Sequence, residues 1–71
     1  MDSIGSLHVA MIGGEPPYLH VVLPEPVDAS EARRMVGEEL RGSAWEVTLQ
    51  NGEDALINVR NVGYVRLIPS T

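Results

Sequence analysis

The chain contains no cysteine, no lysine and no phenylalanine. Without cysteine, neither a disulfide nor a thiolate metal site can be built. Without lysine, the positive charge rests on five arginines against ten aspartates and glutamates, and the net charge is −5. A surface of that sign repels a nucleic-acid backbone, where affinity comes from cations that displace counterions. No apolar run approaches the ~20 residues of a membrane span. The opening Met1-Asp2-Ser3-Ile4-Gly5 lacks the basic stretch and apolar core of a signal peptide, so a cytoplasmic location is expected.

Seventy-one residues make one domain, expected over 1–71 with 1–5 and 69–71 frayed. A chain of this length buries only about 60% of the surface it exposes when unfolded. Small domains are usually completed by disulfides, a metal or a partner subunit. The first is excluded here and no cofactor motif is present, which leaves assembly.

Hydrophobic periodicity outlines the elements. Residues 6–12 alternate as a strand, with Leu7, Val9 and Met11 on one face and His8, Ala10 and Ile12 on the other. Gly13-Gly14-Glu15-Pro16-Pro17 is a loop, because two glycines and two prolines cannot continue a ladder. Tyr18 to Leu23 is a second strand, with Leu19, Val21 and Leu23 inward and Tyr18, His20 and Val22 outward. A hairpin centred on Glu15 pairs odd positions with odd ones, so the two apolar faces coincide. Pro24-Glu25-Pro26 is expected to end that strand.

Asp28, with Glu31 three residues on, is a capping-box-like helix start. Ala32, Met35, Val36 and Leu40 form an apolar stripe at helical spacing, read as core. Glu31, Arg34, Glu38 and Arg41 alternate in sign on the other side. Gly42 is placed to close the helix. Gly37, inside it, is read as a point of close packing on the sheet.

Ala44 to Gln50 is a third strand, with Trp45, Val47 and Leu49 on one face and Glu46, Thr48 and Gln50 on the other. Asn51-Gly52 marks a hairpin turn. A three-residue loop, Gln50-Asn51-Gly52 with left-handed Gly52, pairs Val47 with Ala55 and Trp45 with Ile57. That register joins the apolar sets and is preferred over a two-residue loop. A tight turn within Asn58-Val59-Arg60-Asn61 precedes a last strand, Val62 to Ile68. Its Val65 and Leu67 share one face, and Tyr64, Arg66 and Ile68 the other. The expected class is α+β in the order β-β-α-β-β-β: a small, mostly antiparallel sheet or partial barrel with one helix on one face.

One helix covers one face of such a sheet. The second face then carries Ala10, Ile12, Tyr18, His20, Val22, Tyr64 and Ile68. A contiguous apolar patch there marks an interaction site, and a symmetric homo-oligomer is its simplest form. The expected interface residues are Ile12, Tyr18, His20, Val22 and Tyr64, with the two tyrosines foremost.

Catalytic chemistry finds little footing. His8 and His20 lie close together on the second face. As metal ligands they would need one or two more, and Glu46 is the only acidic candidate. Gly13-Gly14 lacks the following helix and the Lys-Ser/Thr of a phosphate loop. Ser3, Ser6, Ser30 and Ser43 include no nucleophile elbow. Glu38-Glu39 and Glu53-Asp54 read as solvated charge, so no catalytic residue and no cofactor is expected.

The capped stretch Asp28-Ala-Ser-Glu-Ala-Arg-Arg and the run from Val47 to Leu67, Val-Thr-Leu-Gln-Asn-Gly-Glu-Asp-Ala-Leu-Ile-Asn-Val-Arg-Asn-Val-Gly-Tyr-Val-Arg-Leu, carry a resemblance. With the N-terminal strand pair, this pattern resembles a family of short actinobacterial proteins catalogued as a domain of unknown function. The terminal run is also similar to the hairpin ending of small bacterial flagellar regulators. The resemblance implies no catalytic residues. The function expected is non-enzymatic protein binding, chiefly self-association. The alternatives are a nucleic-acid-binding regulator using Arg60 and Arg66, a metal or small-ligand binder using His8 and His20, and a structural component of a larger assembly such as a phage particle.

Overall fold

A computed structural model describes residues 3–13 and 18–70. Of the expected loop at 13–17, Gly14 to Pro17 lie outside the described residues, as do Met1, Asp2 and Thr71. The elements are β1 (Ser3–Met11), β2 (Tyr18–Asp28), α1 (Ala29–Glu39), β3 (Ala44–Thr48), β4 (Asp54–Asn58), a turn of 3-10 helix (Val59–Asn61) and β5 (Val62–Pro69). The strands form two antiparallel sheets, ordered β2-β1-β5 and β3-β4. With the single helix this is a small α+β domain in the expected β-β-α-β-β-β order.

Strand reaches into both of the ends expected to fray. Ser3 to Gly5 belong to β1 and Pro69 to β5, and the Ser70 N–H donates to the Ser3 carbonyl at 2.9 Å. The chain passes closely here: a Cβ at Gly5 would lie 2.9 Å from the Ser70 Cβ.

β1 is the central strand. Its inward side chains Leu7 and Val9 are fully buried. Leu7 lies between Val21 of β2 and Leu67 of β5, and Val9 between Leu19 and Val65. A hairpin centred on Glu15 would have set Val9 opposite Val21, so the strands are offset from that expectation. An offset of two keeps every residue on its own face, because side chains alternate with period 2. The far end of β1 turns toward β5 instead, where the Ile12 N–H donates to the Asn61 carbonyl at 2.7 Å.

Pro24-Glu25-Pro26 does not end β2. The register with β1 breaks between Ser6↔Val22 and Ile4↔Val27, and β2 then resumes pairing as far as Ser3↔Asp28. The two prolines fall within the irregularity, where missing N–H groups cost no ladder bonds.

Asp28 caps α1: its carboxylate accepts from the Ser30 N–H at 3.0 Å and from the Ser30 hydroxyl. These bonds hold its carboxyl below the usual aspartate range. On the solvent side, Arg34 pairs with Glu31 and, at 2.8 Å, with Glu38. Gly42 does not close the helix in a left-handed conformation. The cap is Leu40, and the last turn tightens through Arg41 N–H to the Glu38 carbonyl (3.2 Å) and Gly42 N–H to the Glu39 carbonyl (3.1 Å), an i→i−3 pattern common at helix ends.

Only part of the helix stripe is core. Ala32 and Val36 are buried, whereas Met35 and Leu40 are each 38% exposed. Gly37 faces open space, with nothing within 4 Å of a Cβ built there, so close packing is not the reason for glycine at this site.

The β3-β4 hairpin completes the core with Trp45, Val47 and Ile57, which join Ile4, Leu7, Val9, Val21, Ala32 and Val36. The expected three-residue loop is present. Trp45 faces Ile57, Val47 faces Ala55, the Gly52 N–H donates to the Leu49 carbonyl at 2.9 Å, and Gly52 has φ +89°. Among the described residues the two sheets are joined by an antiparallel bridge, Val21↔Leu49, reinforced by Gln50 N–H to the His20 carbonyl at 3.1 Å. The turn at Asn58–Asn61 is a 3-10 turn capped by the Asn58 side chain, which accepts from the Arg60 N–H at 3.2 Å.

Candidate interaction face

The outer face of the β2-β1-β5 sheet follows from strand alternation and register. Once Leu7 and Val9 point into the core, Ser6, His8 and Ala10 must point out. Pairing then generates three rows across the sheet: Val22–Ser6–Ile68, His20–His8–Arg66 and Tyr18–Ala10–Tyr64. Four of the five expected interface residues, Tyr18, His20, Val22 and Tyr64, therefore share one face. The fifth, Ile12, is not a strand residue, because β1 ends at Met11. It sits in the turn at the Tyr64 end of the array, its Cγ1 3.6 Å from where a Cβ at Gly63 would lie.

The large apolar residues here are open to solvent: Ile12 is 68% exposed, Tyr64 60%, Tyr18 50% and Val22 39%. Neither the helix nor the second sheet supplies buried residues to this side, because Ala32, Val36, Trp45, Val47 and Ile57 all belong to the core cluster with Leu7 and Val9.

The middle row is polar. His8 and His20 are directly opposite, with Nε2 atoms 3.2 Å apart and rings edge to face at 4.3 Å between centroids. One imidazole donates and the other accepts, so the contact holds one proton between the two nitrogens. Tyr18 stacks on His8 at 5.1 Å, and Arg66 is opposite His8 on β5. The His8 pKa lies below 6.5, first through partial loss of solvent and then through His20 and Arg66.

The nitrogen separation resembles the edge of a tetrahedral zinc site, which bonds of about 2.0–2.1 Å put at roughly 3.3 Å. The pair could supply two ligands. Glu46, the expected third, is on β3 in the other sheet, and among the described residues no group of three or more His, Cys, Asp or Glu comes together. Arg60 lies in the 3-10 turn and Arg66 in mid-β5. The strand from Val62 to Arg66 spans roughly 13 Å, so the two guanidinium groups start from well-separated backbone positions.

One exposed apolar residue was not expected. Leu56, 73% exposed, stands opposite Glu46 on the outer side of the second sheet. Its sequence signal is parity: with Ala55 and Ile57 inward, Leu56 points out. Comparison with family models, curated proteins and solved structures yields no match for this chain. Among the described residues, no helix is long and apolar enough to cross a membrane.

Proposed function

We propose that this chain is a non-enzymatic interaction module that self-associates through the outer face of the β2-β1-β5 sheet. The observation that carries this reading is the concentration of exposed Tyr18, Val22, Tyr64 and Ile12 on and beside one sheet face. Covering two tyrosines and two aliphatic side chains removes apolar area worth about 25 cal/mol per Å². Aromatic residues also concentrate interface energy. A two-fold arrangement lets one patch meet its own copy. β5 ends the sheet order, and its edge has no lysine and no proline before Pro69, so edge pairing is a second route available to the same copies.

The test is solution mass by light scattering over a hundredfold concentration range, for the wild type and for Tyr18→Glu with Tyr64→Glu. An oligomeric wild type and a folded monomeric variant support the face as the interface. A wild type that stays monomeric at the highest concentration overturns self-association. An oligomer that persists in the variant moves the contact to the β5 edge.

A further inference from the structure

The two sheets meet at the Val21↔Leu49 bridge and then separate. Between them, and against α1, opens a groove of about 340 Å³. Its floor is apolar and built from core side chains, among them Val21, Val36 and Trp45. Its rim is acidic: Glu39 from α1, Glu46 from β3 and Asp54 from β4 line it, and no arginine does. Glu38 is also at the rim but is paired with Arg34.

The strand edges beside the groove differ. On the β2 side, Pro24 has no N–H to offer. On the β3 side, the residues from Ala44 to Val47 pair with β4 alone among the described residues. This is the geometry in which an extended segment adds to a sheet: backbone pairing gives adhesion, and alternate side chains enter a pocket or face the rim.

From this charge complementarity we propose that the groove is a second docking site, and that its occupant is an extended basic segment of another protein. Large aliphatic side chains of that segment enter the apolar floor, and the alternating arginines or lysines meet Glu39, Glu46 and Asp54. The groove meets the outer face at Val22, which lines both, but neither tyrosine lines it, so the tyrosine variant separates docking from self-association.

Trp45, the only tryptophan, lines the groove and reports occupancy by its fluorescence. The probes are three hexapeptides without aromatic residues: alternating leucine and arginine, leucine and glutamate, and serine and arginine. Each is titrated into the wild type, into Glu39→Gln/Glu46→Gln/Asp54→Asn, and into the Tyr18→Glu/Tyr64→Glu protein. These changes at exposed positions remove charge at nearly constant side-chain shape, and circular dichroism checks that the fold is kept.

The leucine–arginine peptide is expected to give a saturable shift that weakens between low and high salt. In the neutral-rim variant its affinity falls about tenfold, as the loss of several modest ion pairs implies. The serine–arginine and leucine–glutamate peptides bind at least tenfold more weakly, and the Tyr18→Glu/Tyr64→Glu protein binds like the wild type. No saturable shift with any peptide overturns the proposal. So does equal affinity for the leucine–glutamate or serine–arginine peptide, or an unchanged affinity in the neutral-rim variant.

Discussion

The Nε2 atoms of His8 and His20 meet at 3.2 Å across the β1–β2 pair, and one proton is shared where two would repel. The groups facing His8 are His20 and Tyr18 from β2 and Arg66 from β5, so among the described residues no carboxylate compensates a second charge there. The sharing ties the fold to pH.

With its folded pKa below 6.5, His8 binds fewer protons in the native state than in the unfolded chain as pH falls through that region. Stability contributed by neutral His8 is therefore fully present above about pH 6.5 and is lost as pH falls through the folded value. Thermal midpoints at pH 7.5 and 5.5 should show a drop for the wild type and a smaller one for His8→Gln, which keeps a polar side chain but cannot titrate. Equal drops would assign the dependence to other groups. Asp28 acts in a separate window. Its carboxyl is held below 3.8 by Ser30, so its contribution persists above that range and disappears only in stronger acid.

Two glycines should respond in opposite ways to alanine. Gly37 lies in a helix facing open space, so Gly37→Ala should stabilise by about 0.5–1 kcal/mol by restricting the unfolded chain. Gly52 holds φ +89°, where an L side chain costs roughly 1–2 kcal/mol, so Gly52→Ala should destabilise. Urea unfolding of both variants measures the pair. A destabilising Gly37→Ala would mean that something packs on that helix face in solution.

Core and surface leucines should separate just as clearly. Leu7 is 2% exposed and central to the core, whereas Leu56 is 73% exposed. Leu7→Ala should cost about 2–5 kcal/mol, enough to unfold much of a domain this small. Leu56→Ala should stay within about 0.5 kcal/mol. Circular dichroism melts distinguish them, and a large loss at Leu56 would place that residue in a contact between copies.

The structure separates what local chemistry decides from what it leaves open. Asp28 as a helix cap and the Trp45↔Ile57 register follow from residues within a few positions of each other. A three-residue turn with a left-handed glycine admits only one register that also keeps the apolar sets together. The placement of Tyr18, His20, Val22 and Tyr64 on one face was equally legible, because parity survives any shift of two residues.

That same parity is why the β1–β2 register was not legible. Pairing Leu7 with Val21 and pairing Leu7 with Leu23 leave every side chain on the same face, and nothing local separates the two. The choice falls to distant partners: Asn61 holding Ile12, and Gln50 holding His20. Pro24 and Pro26 read as a stop, yet β2 continues past them because Val27 and Asp28 still find Ile4 and Ser3. The exposure of Met35 and the groove beside it depend on how far the second hairpin stands from α1 and β2. Helical periodicity carries no such distance. Short-range turn and capping energies thus decided the elements and their faces, while contacts between residues far apart in the chain decided how those faces meet.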